Sequence, residues 1–252
     1  MKKGWLIVGL AVVLIGIGGG VFFMGQPGKN VHISENGLSY VAKVEGKDFY
    51  IYKDGEWKST FLTGVNMGAA KPGTFPGELA ITKEEYLRWF KQIKEMNADI
   101  VRVYTTLKPA FYEALYEFNE NSKDPLYIMH GVYLNEENIA ELNDAYANDE
   151  KIKKEFIQDA TDLVNVLHGN AKLPKKAGFA DGEYTKDISQ YVVGWILGVE
   201  WDPYFVNGTN KANPDKKSFD GEYLYTKEAS PFEVFLAEVG DEVLSYEAEE
   251  YQ

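Results

Sequence analysis

Hydrophobic positions fall into two kinds of run that alternate along most of the chain. Short, nearly continuous apolar runs occupy residues 61–66, 99–104, 126–133 and 191–199. Strands buried on both faces of a parallel sheet read this way, without strict apolar–polar alternation. Between them apolar residues recur every three or four positions, as Tyr86, Trp89, Phe90, Ile93 and Met96, and as Ile152, Phe156, Ala160, Leu163 and Leu167. That spacing predicts helices with one apolar face. Helix starts are legible too. Thr82 with Glu85 and Ser230 with Glu233 are capping boxes, and Pro109 suits the first turn of a helix reaching about Asn119. Phe232, Phe235, Leu236 and Val239 mark the inner face of a last helix. Strands alternating with helices of this length predict an α/β fold with parallel pairing and right-handed crossovers.

The chain before residue 61 is patterned differently. Lys2 and Lys3 precede an uncharged apolar run over residues 5–24. At about 1.5 Å per residue this run reaches across a hydrocarbon core of about 30 Å. Residues 1–24 are therefore expected to form an N-terminal transmembrane anchor, with the basic end in the cytoplasm and everything after it outside. A cleaved signal peptide is the alternative, which would make the protein secreted. Residues 25–60 read as a linker and a β-hairpin cap. Asn36-Gly37 and Asp54-Gly55 supply its turns. Residues 61–252 form the main domain.

Composition narrows the function classes. The 252 residues carry a formal net charge of -13, which argues against nucleic acid as a partner because phosphates are repelled. There is no cysteine, so disulfides and thiol catalysis are excluded. His32, His130 and His168 lie far apart without metal-ligand spacing; no metal or other cofactor is expected. The apolar run 191–199 ends on Glu200, Trp201, Asp202 and Pro203. Polar side chains also close the other runs: Asn66 the first, Arg102 and Tyr104 the second, His130 and Tyr133 the third. Singly, each has a plain explanation, such as an internal ion pair for Arg102, a satisfied core histidine for His130 and a loop cap for Asn66. Together they predict a polar cluster at one end of a parallel sheet, where such folds bind ligands.

Gly64-Val-Asn66, Ile100-Val-Arg102-Val-Tyr104, His130 and the strand-ending Glu200, preceded by a hairpin at residues 48–58, resemble the N-terminal half of the clan of retaining glycoside hydrolases with (β/α)8 barrels. The hairpin and the strand after it are similar to the barrel entry of its β-galactosidase-like, mannanase-like and glucanosyltransferase-like members. The resemblance covers residues 49–202. It implies a TIM-barrel type fold, of which about four βα units are present, and a neutral carbohydrate substrate. It also implies Glu200 as acid/base, Arg102 as the residue steadying the nucleophile, and Asn66, Tyr104 and His130 as sugar contacts. Tyr133, Trp201 and Asp202 are expected beside them. Val199 stands where many members have asparagine, which removes one sugar contact.

One requirement of that chemistry is unmet. Retaining hydrolysis uses a second carboxylate about 5–5.5 Å from the first, and no later apolar run ends on glutamate. A full barrel takes about 250 residues, and about 190 follow the hairpin. The sequence therefore reads as a glycosidase or transglycosidase half, truncated and inactive alone, completed by a C-terminal half or a partner. A non-catalytic anchored module that binds glycan or protein is the alternative.

Overall fold

The computed structural model describes residues 31–34, 38–134, 136–198 and 200–251. Its centre is a four-stranded parallel sheet. In sequence the strands are β6 (Gly64–Asn66), β7 (Ile100–Val103), β8 (Tyr127–Val132) and β11 (Val192–Leu197), and they lie in the order β6-β7-β8-β11. Small antiparallel pieces surround it. They are β1 (His32–Ile33) with β2 (Ser39–Tyr40), β3 (Ala42–Glu45) with β4 (Asp48–Lys53) and β5 (Glu56–Ser59), β9 (Ala171–Leu173) with β10 (Gly182–Tyr184), and β12 (Phe219–Asp220) with β13 (Tyr225–Thr226).

Among the described residues six α-helices accompany the strands: α1 (Lys83–Glu95), α2 (Pro109–Asn119), α3 (Glu136–Leu142), α4 (Ala147–Leu167), α5 (Pro203–Ala212) and α6 (Pro231–Glu250). Both capping boxes form, with Thr82 and Ser230 accepting from the Glu85 and Glu233 backbone N–H groups. In α1, Tyr86, Phe90 and Ile93 are buried, whereas Met96 ends the helix and is exposed. The α5 helix and the two small ribbons β9–β10 and β12–β13 have no counterpart in the periodicity, because their apolar stretches are too short to show one.

The two faces of the sheet are covered unequally. Val65, Val101, Val103, Ile128, Val132 and Leu197 pack into the large core built with the helices. Rings dominate this layer: Phe90 lies 5.7 Å from Phe111, and Phe156 lies 6.1 Å from Phe235. The opposite face carries Ile100, Tyr127 and Val193 in a smaller cluster with Val41 and Ile51 of the hairpin sheet, and no helical residue is buried in it. Several polar ties hold the C-terminal elements, among them two at the last helix. Asp241 accepts from the Tyr223 and Leu224 backbone N–H groups at 2.7 Å, fixing the β12–β13 ribbon to α6. His168 stacks on Tyr251 and lies 2.7 Å from Glu247.

This architecture corrects the expected barrel. Closure into a (β/α)8 barrel requires strands tilted and staggered so that each edge is paired. Here the sheet is open, β6 and β11 are its edges among the described residues, and antiparallel ribbons make the fold a mixed α/β one. Alternating strands and helices encode parallel pairing but not closure. The expected membrane anchor, residues 1–24, lies outside the described residues, as does the Asn36-Gly37 turn. No helix among the described residues is long and apolar enough to cross a membrane.

Gly131 shows how tightly β7 and β8 approach. A Cβ there would fall 2.9 Å from the Tyr104 Cα and 3.0 Å from its carbonyl oxygen. Gly131→Ala is expected to cost about 1–3 kcal/mol in urea unfolding. Gly194→Ala is expected to be nearly neutral, because its Cβ would meet Met129 at an ordinary 3.6 Å.

Candidate functional site

Side chains alternate along a strand, so register decides which groups share a face. Asn66 pairs with Arg102, and Arg102 with Met129. All three therefore point to the face that the helices leave uncovered. Beside them, between the sheet and the end of the hairpin, lies a cleft of about 400 Å³. Ile100 and Met129 line it together with Phe49, Phe61 and Leu62, and Asn66 and Arg102 supply its polar groups. Phe61 is 90% exposed, so its ring is available to a ligand and not held in the core.

The hydroxyls in the cleft are committed. Thr60 Oγ donates to the Lys58 carbonyl at 3.0 Å and Thr63 Oγ to the Asn97 carbonyl at 3.1 Å. Arg102 is partly buried and, among the described residues, forms no ion pair, so the plain explanation of an internal pair does not apply. Asn66 likewise makes no side-chain cap. None of the lining residues is a carboxylate or a histidine, so the cleft holds groups that bind and none that transfers a proton at neutral pH.

The other expected site residues lie elsewhere. His130 pairs with Val103 across the β7–β8 ladder and faces the helices, with 0% of its surface exposed. Its Nδ1 lies 3.0 Å from the Gly131 carbonyl, which can only accept, so Nδ1 carries the proton and Nε2 accepts from the Tyr112 hydroxyl at 2.9 Å. The Tyr112 oxygen in turn accepts from the Leu107 N–H at 3.2 Å, and Tyr184 donates to the Leu107 carbonyl at 2.8 Å. Every polar atom in this chain of groups has a partner, which is what keeps a buried histidine tolerable. His130 is a core residue.

Tyr104 and Tyr133 lie just past the ends of β7 and β8 and meet edge to face at 6.3 Å. The Tyr133 hydroxyl donates to Glu136, and this bond, with burial and the carboxylate charge behind it, pushes its pKa up to about 12. Trp201 belongs to the core, stacked on Phe205 and edge-on to Phe232 at 5.0 Å. Asp202 caps α5, accepting from the Tyr204 and Phe205 N–H groups at 2.7 and 3.0 Å ahead of Pro203. Glu200 is exposed and makes no hydrogen bond or ion pair among the described residues.

The expected cluster is thus divided. Among the described residues Asn66 and Arg102 meet in one cleft, and Tyr104 and Tyr133 meet each other past the strand ends. No family model, curated protein or solved structure matches the chain. Phe49, Phe61 and Met129 join the two in the cleft and carry no polar signature in sequence. Phe61 could have been found from its place just before a strand, beside the hairpin that starts the domain.

The buried imidazole generates a pH dependence. Burial holds the His130 pKa down to about 4 from an ordinary 6.5, against the smaller opposing effect of the Gly131 carbonyl. Between pH 6.5 and 4 the unfolded chain binds a proton that the folded chain does not, so stability falls as pH falls through that window. The expected loss is up to about 3 kcal/mol. Urea midpoints at pH 6.5 and 4.5 should show this slope in the wild type and a flatter one in His130→Gln; equal slopes would contradict it.

Proposed function

We propose that the chain is a glycosidase- or transglycosidase-like protein that holds a glycan on the uncovered face of its parallel sheet and does not cleave it unaided. The observation that supports this most is the cleft itself. It joins an exposed aromatic ring, Phe61, to an amide and a guanidinium set side by side at the ends of β6 and β7. Sugars offer an apolar face for a ring and a rim of hydroxyls for polar groups, and this lining suits both. The run of residues from Gly64 to Asn66 and from Ile100 to Tyr104 that resembles retaining glycosidases points to the same ligand class.

Binding without turnover follows from the carboxylates. A general acid at neutral pH needs an apolar surround to hold its proton, and Glu200 is exposed. Asp202, its neighbour, is committed to capping α5. In a glycosidase built on this chain the second carboxylate has to be brought to Glu200 by other polypeptide. The exposure of Glu200 favours a second reading as well, a binding module in which Glu200 has no chemical role. In either case residues 1–24 would hold the protein at the outer face of a membrane.

The test uses the full-length chain purified in detergent. Nitrophenyl glycosides are expected to show no hydrolysis, while calorimetry detects binding of neutral gluco- or manno-oligosaccharides. Glu200→Gln should leave that affinity within about twofold, and Phe61→Ala should weaken it by about three- to tenfold, the worth of one ring contact. Hydrolysis that disappears in Glu200→Gln would contradict this account.

A further inference from the structure

The Arg102 guanidinium is a cation presented to the cleft without a protein counter-charge among the described residues. Partly buried in the cleft, it makes no ion pair, hydrogen bond or ring contact among the described residues, although a guanidinium offers five N–H donors in a fixed fork. No Arg102 nitrogen is buried without a partner, so water serves these donors until a stronger acceptor displaces it. The lining holds no carboxylate to pair with the guanidinium; the acceptors at hand are neutral, the Asn66 amide oxygen and the Thr60 and Thr63 hydroxyls, which donate to backbone carbonyls and keep lone pairs free. Asn66 stands opposite Arg102 in register, about 4.8 Å away along the sheet, and its amide is also uncommitted among the described residues.

We infer that the cleft takes a glycan bearing a carboxylate, a uronic acid or similar sugar acid, whose carboxylate is received by the Arg102 guanidinium. A carboxylate matches the fork with two parallel hydrogen bonds. Asn66 then meets a neighbouring hydroxyl, and Phe61 covers the sugar ring. The inference rests on the glycan reading of the cleft and departs from the neutral ligand expected from the sequence. The formal charge of -13 sets a limit. A polyuronate would be repelled by the rest of the surface, whereas one carboxylate beside Arg102 lies within the Debye length of about 8 Å at physiological salt, where the local pair dominates. The ligand is thus a short saccharide with one acidic unit.

Calorimetry on the full-length chain decides this, with three probes: a β-linked glucuronosyl-glucose disaccharide, the matching glucosyl-glucose disaccharide, and the peptide Gly-Glu-Gly. The acidic disaccharide is expected to bind at least about tenfold more tightly than the neutral one, as a charge-assisted bidentate contact implies. Arg102→Gln should erase that difference, the acidic disaccharide losing at least about tenfold and the neutral one only the smaller share of a hydroxyl contact, about two- to fourfold, and Arg102→Lys should keep part of the difference; far-UV circular dichroism checks the fold of both variants. Equal binding of the two disaccharides overturns the carboxylate assignment and leaves the glycan reading standing. Tight binding of Gly-Glu-Gly with neither sugar bound overturns the glycan reading and this inference with it. Silence from all three probes also overturns both.

Discussion

Burial of Val101, Val103, Ile128 and Val132 against the helical layer orients everything else on the sheet. Once those four side chains are committed to the core, period-two alternation turns Ile100, Arg102, Tyr127 and Met129 to the other face. The hairpin sheet covers that face only where Val41 and Ile51 reach Ile100, Tyr127 and Val193. Beyond that cover, among the described residues, lies the cleft. The candidate site is thus a consequence of one-sided helical packing.

The same alternation places His130. Its neighbour Met129 opens on the cleft, so the imidazole enters the aromatic layer and joins Tyr112, Leu107 and Tyr184 in a fully partnered chain. A core that buries a histidine, two tyrosine hydroxyls and a loop backbone N–H together has few alternative packings, since displacing any member strands the others. The polar chain contributes uniqueness to the core, and it removes His130 from the chemistry that its place near a strand end suggested.

Much of the layout was legible in the sequence for reasons that can be named. The capping boxes at Thr82 and Ser230 and the proline at 109 are local signals and form as local structure. The strand-type runs give the four parallel strands because uninterrupted apolar sequence of five or six residues has few other uses. Three things were not legible. Closure was misjudged, since strand–helix alternation is common to barrels and open sheets. Face was misjudged at His130, because a run such as Tyr127-Ile-Met-His-Gly-Val132 is apolar at both parities and hides which residues point together. Placement was not legible at Trp201 and Asp202. An aromatic and a carboxylate after a strand look like a rim, yet here one fills the core beside Phe232 and the other caps a helix whose Pro203 start announces it.

The central claim is that the uncovered sheet face is where this protein meets its ligand. Amide chemical-shift mapping during titration with a short oligosaccharide tests it most directly. The account predicts perturbations concentrated at Phe61, Gly64, Asn66, Arg102 and Met129, with the amides of Tyr112, His130 and Trp201 unmoved. Perturbations centred on Glu200 or on the exposed rings of Tyr204 and Tyr225, with the cleft silent, would contradict it.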